Sequence, residues 1–226
     1  MKKQDENNGQ FVICERFDNL GMQDPSRTYK LGVMGGSFDP IHLGHLVCAE
    51  QAREHANLDA VIFVPAGNHV FKKGSVVASA HHRYNMCKAA CETNKFFDAS
   101  PIEIQSENES YTINMLQFLR RHYPENVELY FIAGQDVALD ILKWKDTEEI
   151  GKLATFIVAT RPGYSISEDR RAAISAESNI KMEFCEVAAM EISSSALRKT
   201  ISKGRSLRYL TTLNVCNYIK EFNLYE

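Results

Sequence analysis

Positive charge is not in excess in this sequence of 226 residues: 26 lysines and arginines face 29 aspartates and glutamates, and the formal net charge is -3. Proteins that neutralise many phosphates usually carry a basic face, so the composition argues against a DNA or RNA partner. Long apolar runs are missing too. No stretch approaches the roughly 18 uncharged apolar residues of a membrane span, and no apolar segment follows Lys2 and Lys3. We therefore expect a cytoplasmic protein without a membrane partner.

The cysteines lack a pairing pattern. No C-x-x-C occurs, and disulfide frameworks are expected in shorter, secreted chains. Cys87 and Cys91 are spaced to share a helix face, but two thiols do not supply the four ligands of a tetrahedral zinc site, so plain burial is the better interpretation. We expect no metal site, and reduced, mostly buried thiols at Cys14, Cys48, Cys87, Cys91, Cys185 and Cys216.

Three common signatures are also absent from the sequence. It contains no G-x-x-x-x-G-K-[ST] loop and no G-x-G-x-x-G fingerprint, which disfavours P-loop kinases and Rossmann-fold dehydrogenases. An H-E-x-x-H zinc motif is missing as well.

Apolar runs rich in β-branched and aromatic residues alternate with segments of helical spacing. The pattern predicts strands at 31–34, 60–65, 127–133 and 154–160, with helices at 43–56, 81–93, 111–122 and 136–142. Such alternation is typical of an α/β fold, here a Rossmann-like doubly wound parallel sheet whose ligands collect beyond the carboxyl ends of the strands. A polar helix, a strand at 181–187 and helices at 193–203 and 211–222 would add a small C-terminal helical subregion.

The length favours one domain, which we place at residues 30–226. Residues 1–29 form a polar N-terminal extension whose apolar run, 11–14, is too short to build a core. Partial disorder and packing on the main domain are both open for it.

The segment after the first predicted strand reads GGSFDPIHLGH, residues 35–45. Its paired glycines allow a tight turn close to a ligand, and the free amides at the start of the next helix favour an anion. Ser37 adds a hydroxyl donor. His42 and His45 are three residues apart in the first helical turn, so both imidazoles can face one phosphate and stabilise a phosphoryl-transfer transition state. Gly44 keeps bulk away from them.

Each part of this loop has a simpler interpretation. A Gly-Gly pair is usually a turn, and two histidines at this spacing are more often surface or core residues than catalysts. A chelating pair would need a third ligand that no nearby cluster supplies. The whole string is far more specific than its parts.

This string resembles the H-x-G-H signature of a nucleotidyltransferase superfamily that shares motifs with class I aminoacyl-tRNA synthetases. Further strings are SYT at 110–112, GQD at 134–136 followed by Trp144, RPG at 161–163 and ISSSALR at 192–198. Together they are similar to the bacterial nicotinate mononucleotide adenylyltransferases, over about residues 30–226.

The resemblance implies an ATP site made from three parts of the chain, with His42 and His45 as catalytic residues on the phosphates. Alone, a serine run before an apolar segment predicts a helix cap, and Asp136 could be an N-cap instead of a ribose ligand. The implied ATP-binding residues are Gly35, Gly36, Ser37, Phe38, Gly134, Asp136, Ser194, Ser195 and Arg198.

The resemblance also implies a site for the acceptor, nicotinate mononucleotide. Trp144, the only tryptophan, would lie against the pyridine ring, although core packing is its commoner fate. Tyr111 and Thr112 would meet the nicotinate carboxylate, although they also suit a helix start. Lys72 would meet the acceptor phosphate and Arg161 the nucleotide, although each could be a surface cation.

Two departures from the family pattern occur near these residues. Phe71 stands where many relatives carry a histidine, in the loop that the resemblance assigns to the acceptor. Gln135 stands where a small residue is common. Arg83 matches a position that the family usually fills with arginine, and we expect a structural role for it.

The reaction implied is transfer of the adenylyl group of ATP to nicotinate mononucleotide, with Mg²⁺ carried on the ATP phosphates. Another adenylyl- or cytidylyltransferase of the superfamily, such as pantetheine-phosphate adenylyltransferase, is the nearest rival. A nucleotide-binding regulator without turnover is a rival of another class. The oligomeric state is unknown from the sequence.

Overall fold

Six parallel strands form the centre of the molecule, as the alternating pattern predicts. The computed structural model describes residues 12–67, 77–106, 111–144, 146–163, 166–188 and 190–226. Within them the strands are β1 Tyr29–Gly36, β2 Ala60–Pro65, β3 Phe97–Ala99, β4 Val127–Gly134, β5 Ala154–Thr160 and β6 Met182–Glu186. Their order across the sheet is β3-β2-β1-β4-β5-β6, and every neighbouring pair is parallel.

Helices cover both faces of this sheet, which explains why its strands are almost continuously apolar. They are α1 Leu43–Ala56, α2 Ala80–Cys91, α3 Thr112–His122, α4 Gln135–Asp140, α5 Thr147–Leu153, α6 Glu168–Ser178, α7 Ser194–Ile201 and α8 Leu213–Glu221. Apolar side chains of α1, α2, α7 and α8 are buried on one face, and those of α3, α5 and α6 on the other. The predicted doubly wound sheet and its C-terminal helical part are confirmed.

Two short elements are not among the predictions. Strand β3 has only three residues, one of them the buried Asp98, so it shows no apolar run. Helix α5 is seven residues long and is separated from α4 by a 3-10 turn at Ile141–Lys143. Both elements are stabilised by packing on longer neighbours, which local patterns do not reveal.

Residues 12–28 pack on the main domain, one of the two alternatives open for the extension. Ile13 and Cys14 are buried in the core on the α3 face. The Arg16 guanidinium donates to three backbone carbonyls at the end of α2 and the start of β3: those of Cys91, Asn94 and Phe97, at 3.2, 2.8 and 2.8 Å. A short apolar run can therefore join a core that longer elements have built. The boundary at residue 30 stays a prediction.

The six cysteines are unpaired, four of them buried and two half-buried. Nowhere in the described ranges does a helix combine the length and apolar character needed to cross a bilayer.

Candidate active site

The carboxyl edge of the sheet collects residues that are far apart in sequence. Gly36 ends β1 and Gly134 ends β4, and these two strands are neighbours. Arg161 directly follows the end of β5 and is exposed at the same edge. Because α1 leaves β1 over one face while α3 enters β4 from the other, a crevice opens between them, where sheets of this type bind ligands.

The loop between β1 and α1 is held in shape by a buried phenylalanine. Phe38 has a positive φ of 49° and only 2 % of its surface exposed. Its ring packs edge-on against Phe63 at 5.7 Å and against His45 at 5.0 Å between centroids. A Cβ on Gly36 would lie 3.0 to 3.3 Å from this ring, so a larger residue there would press on Phe38. Phe38 therefore shapes the loop from below.

His42 and His45 form one stacked pair at the start of α1. Their ring centroids are 3.7 Å apart with 20° between planes, and the His42 backbone N–H donates to His45 Nδ1 at 3.2 Å. His42 is 6 % exposed, and its Nδ1 is buried without a partner among the described residues. Burial lowers the pKa of His42 from 6.5 to about 4, so the imidazole is neutral near pH 7. An unpartnered buried nitrogen beside a helix N-terminus suits a bound anion.

Gly44 leaves the space next to this nitrogen open. A Cβ at Gly44 would come 3.1 Å from His42 Nδ1 and 3.2 Å from its Cε1. Any larger residue would press on the imidazole, so the middle residue of the H-x-G-H string has a local steric reason.

The serine-arginine helix start meets the same loop, as the sequence interpretation requires. The Ser194 hydroxyl donates to the Pro40 carbonyl at 2.9 Å, and Arg198 Nη1 donates to the Asp39 carbonyl at 2.7 Å. Arg198 Nη2 also donates to Ser195 Oγ at 3.3 Å. The start of α7 is therefore in direct contact with the loop that leads into His42 and His45.

The capping role expected for a serine falls on Ser193. Its Oγ accepts from the Ala196 backbone N–H at 3.2 Å, and Ser193 is the N-cap of α7. Ser195 therefore does not cap this helix. The N-cap of α4 is likewise Gly134, so Asp136 lies exposed in the first turn of that helix instead of capping it.

Asp39 is the residue of this site to which the sequence interpretation assigns no role. It is 1 % exposed, and its carboxylate accepts from the backbone N–H groups of Val77 at 2.8 Å and Ala78 at 3.1 Å, and from the Tyr225 hydroxyl at 2.7 Å. Arg198 Nη1 lies 3.4 Å from Oδ2 of the same carboxylate. A single carboxylate inside a glycine-rich and apolar loop is a signal that could have been noticed, whereas Tyr225 lies 186 positions away.

Arg83 joins three segments below the site. It is 2 % exposed and donates to the carbonyls of Ala78 at 3.3 Å, Ser37 at 2.8 Å and Ala66 at 2.6 Å. Burial lowers the pKa of Arg83 from its usual value. These contacts connect the ends of β1 and β2 to the start of α2, which agrees with the structural role expected for it.

Two of the residues assigned to the acceptor, Tyr111 and Trp144, pack against the core on the α3 face of the sheet. Trp144 is half-buried and contacts Phe131 and Phe156 edge-on at 6.1 and 6.3 Å between ring centroids. Tyr111 precedes Thr112, the first residue of α3, and packs on the same core. Trp144 thus packs on the core with one part of its ring system and leaves the other part exposed.

Three assigned or discussed positions, Lys72, Phe71 and Ser110, lie outside the described residues. Gln135 keeps its Oε1 buried and without a partner in the described part of the chain.

The chain is similar in sequence to a known family and to named bacterial proteins. The family described as Cytidylyltransferase-like matches residues 33–200. A protein of Thermoanaerobacter sp. (strain X514) named "Probable nicotinate-nucleotide adenylyltransferase" is 42% identical over 203 residues, covering 88% of this chain and 96% of its own length. One of the same name from Moorella thermoacetica is 41% identical over 202 residues, with coverages of 88% and 93%.

Solved structures share the fold at lower sequence identity. The Plasmodium falciparum nicotinic acid mononucleotide adenylyltransferase complexed with NaAD superposes with a TM-score of 0.69 at 22% identity, over 87% of this chain and 97% of the other. The same enzyme complexed with APC gives a TM-score of 0.67, also at 22% identity and over 87% and 97% of the two chains.

Proposed function

The chain belongs to the Cytidylyltransferase-like family and, within it, to the nicotinate-nucleotide adenylyltransferases, and we propose that it transfers the adenylyl group of ATP to nicotinate mononucleotide. A phosphate oxygen of the acceptor attacks the α-phosphorus of ATP in line with the leaving group. The P–O bond to the β-phosphate breaks, so pyrophosphate leaves and nicotinate adenine dinucleotide forms. The attacking phosphate is already ionised near neutral pH, so no general base is needed.

The residues of the β1–α1 loop are proposed to hold the phosphates of ATP. Gly35 and Gly36 let the backbone approach closely, and Ser37 adds a donor. Phe38 keeps the loop in shape from below. His42 and His45 would donate to the oxygens that gain charge in the transition state, which requires positioning and electrostatics and no covalent intermediate.

The start of α7 is proposed to bind the leaving pyrophosphate. Ser194 and Ser195 supply hydroxyls, the helix N-terminus supplies amides, and Arg198 supplies a planar cationic fork. The observation that carries the proposal is the direct contact of Ser194 and Arg198 with the loop that contains His42.

The crevice between β1 and β4 is proposed to hold the two nucleosides. Asp136 after Gly134 would bind a ribose hydroxyl, and Trp144 would stack on the pyridine ring. Tyr111 and Thr112 are proposed for the nicotinate carboxylate. Lys72 and Arg161 are proposed for the acceptor phosphate and the nucleotide.

Magnesium is proposed to arrive with ATP as part of the substrate. In the part of the chain that the structure describes, no group of three or more histidine, cysteine or carboxylate residues could hold a metal ion. The Asp39 carboxylate is engaged by N–H and O–H donors. Imidazoles, hydroxyls and a guanidinium suit phosphate oxygens instead, and these oxygens are typical Mg²⁺ ligands. On ATP the ion neutralises charge on the leaving group.

The decisive test measures pyrophosphate release with three acceptors: nicotinate mononucleotide, nicotinamide mononucleotide and phosphopantetheine. We expect turnover to be fastest with the first. Preference for phosphopantetheine would transfer the protein to another branch of the superfamily, and ATP binding without turnover on any acceptor would indicate a regulator.

A matched pair of variants tests the site itself. His45→Ala should lower kcat by about a hundredfold or more, the usual cost of removing one preorganised donor. His55→Ala changes an exposed histidine near the end of the same helix and should leave kcat unchanged. Equal effects of the two changes would contradict a catalytic role for His45.

A further inference from the structure

The segment that follows α8 turns back toward the loop between β1 and α1. After α8 ends at Glu221, the Leu224 backbone N–H donates to the Ile219 carbonyl at 3.0 Å. Leu224 and Tyr225 pack against the core that α1, α2, α7 and α8 share, and Tyr225 adopts a positive φ of 70°. The side chain of Tyr225 is thereby directed at a carboxylate of the proposed active site.

The contact that results is a partly buried hydrogen bond. The Tyr225 hydroxyl donates to Asp39 Oδ1 at 2.7 Å. Burial, and then the bond to Asp39, raises the pKa of Tyr225 well above its usual value. The hydroxyl therefore keeps its proton at any working pH and remains a donor.

Asp39 in turn orients Arg198. The carboxylate is held on Oδ2 by the Val77 N–H and on Oδ1 by the Ala78 N–H and the Tyr225 hydroxyl, so its plane is fixed from both sides. Arg198 Nη1 contacts Asp39 twice: it donates to the backbone carbonyl at 2.7 Å and lies 3.4 Å from carboxylate Oδ2. A guanidinium that is already held in place binds a triphosphate more tightly, because its side chain loses less conformational entropy when the ligand binds.

We propose that Tyr225 is a positioning residue for ATP, acting through Asp39 to hold Arg198 in its phosphate-binding orientation. The inference rests on the proposed function, and it adds a residue that none of the sequence strings contains. Tyr225 does not touch the substrate in this scheme. Loss of its hydroxyl should therefore weaken the binding of ATP and leave the binding of the acceptor unchanged.

The test compares two tyrosine-to-phenylalanine changes near the end of the chain. Tyr225→Phe keeps the ring and removes the bond to Asp39. Tyr218→Phe removes a hydroxyl that bonds His82 Nδ1 and Asn85 Nδ2, both at 3.0 Å, between α2 and α8. Binding of a non-hydrolysable ATP analogue is measured by calorimetry without acceptor, well below the melting temperature of each variant.

We expect Tyr225→Phe to weaken analogue binding by about tenfold, equivalent to about 1.4 kcal/mol, and to raise the KM for ATP similarly. The KM for nicotinate mononucleotide should change less than about twofold, a ratio worth about 0.4 kcal/mol. Tyr218→Phe should lower the melting temperature and leave both constants unchanged. Unchanged analogue affinity in Tyr225→Phe, an equal loss in both tyrosine variants, or an equal rise in both KM values would overturn the proposal.

A double-mutant cycle with Arg198→Lys separates positioning from general loosening. If Tyr225 acts through Arg198, the losses in analogue affinity will be less than additive, because the second change removes an interaction already impaired. Additive losses would overturn the proposal. The measurements of analogue affinity need no turnover. They therefore remain informative if the wild-type protein releases no pyrophosphate and the proposed function fails.

Discussion

Proton uptake on ATP binding offers a direct test of the two-histidine cluster. His42 is buried, its Nδ1 has no hydrogen-bond partner among the residues that the structure describes, and burial holds its pKa at about 4. A polyphosphate placed beside this ring favours the imidazolium and opposes the effect of burial. ATP binding should therefore draw a proton onto His42, although the free protein keeps this residue neutral.

The size of the effect follows from the two pKa values. If the bound anion restores the pKa of His42 to its ordinary value of about 6.5, the protonated fraction at pH 6 rises from about 0.01 to about 0.75. Binding at pH 6 should then take up about 0.7 of a proton. The same shift should strengthen ATP binding about tenfold between pH 8 and pH 5.5.

Calorimetry with a non-hydrolysable ATP analogue measures this uptake when the titration is repeated in buffers of different ionisation heats. His42→Asn keeps a side-chain N–H donor and removes the titrating group, so the difference between wild type and variant cancels protonation of the nucleotide itself. Equal proton uptake by the two proteins at pH 6 would refute the reasoning, because His42 would then not face the phosphates.

The low pKa of His42 also makes the stability of the free protein depend on pH. Because the unfolded chain binds more protons than the folded one between pH 6.5 and about 4, the free energy of unfolding should fall as the pH decreases through this window. The loss attributable to His42 is at most about 3 kcal/mol. Urea unfolding of wild type and His42→Asn across these pH values measures the contribution of His42. If the free energy of unfolding depends on pH in the same way in both proteins, the low pKa is contradicted.

Three further substitutions test the supporting structure. Gly44→Ala should lower kcat by about tenfold or more because its methyl group displaces His42; wild-type kcat would show that the ring has room. Arg83→Met should lower the free energy of unfolding by about 3 kcal/mol, since two buried carbonyls and one partly buried carbonyl lose their donor; a loss below about 1 kcal/mol would mean that water replaces the guanidinium. Arg16→Ala should cost about 1 to 2 kcal/mol of stability and leave kcat unchanged, as measured by urea unfolding and pyrophosphate release; a change in kcat alone would contradict a purely structural role for residues 12–28.

The fold was accessible from the sequence because its dominant signals are local. Strand β2, Ala60–Pro65, is buried at every position, and such a run is diagnostic of a sheet covered on both faces. Strand β3 carries no such signal, because three residues show no period and only their pairing with β2 defines them as a strand.

The candidate site can be predicted from the sequence only where its residues are consecutive. The string at 35–45 contains the turn, the helix start and both histidines, so its chemistry could be predicted before any contact was known. Roles that depend on distant partners stay predictions, as for Trp144 and Arg161. The sequence does not show which serine of the run caps α7, because that depends on where the helix begins.

Sequence alone determined the family and the parallel α/β fold, and it predicts a phosphate-binding first loop, because each rests on spacing within a short segment. Only the tertiary structure decided that the loop and the start of α7 touch, that burial leaves His42 neutral, and that Tyr225 reaches Asp39. These features depend on desolvation and on contacts between residues more than 150 positions apart, such as Ser194 and Pro40 at a separation of 154. No local pattern encodes them, since burial and proximity are properties of the packed chain.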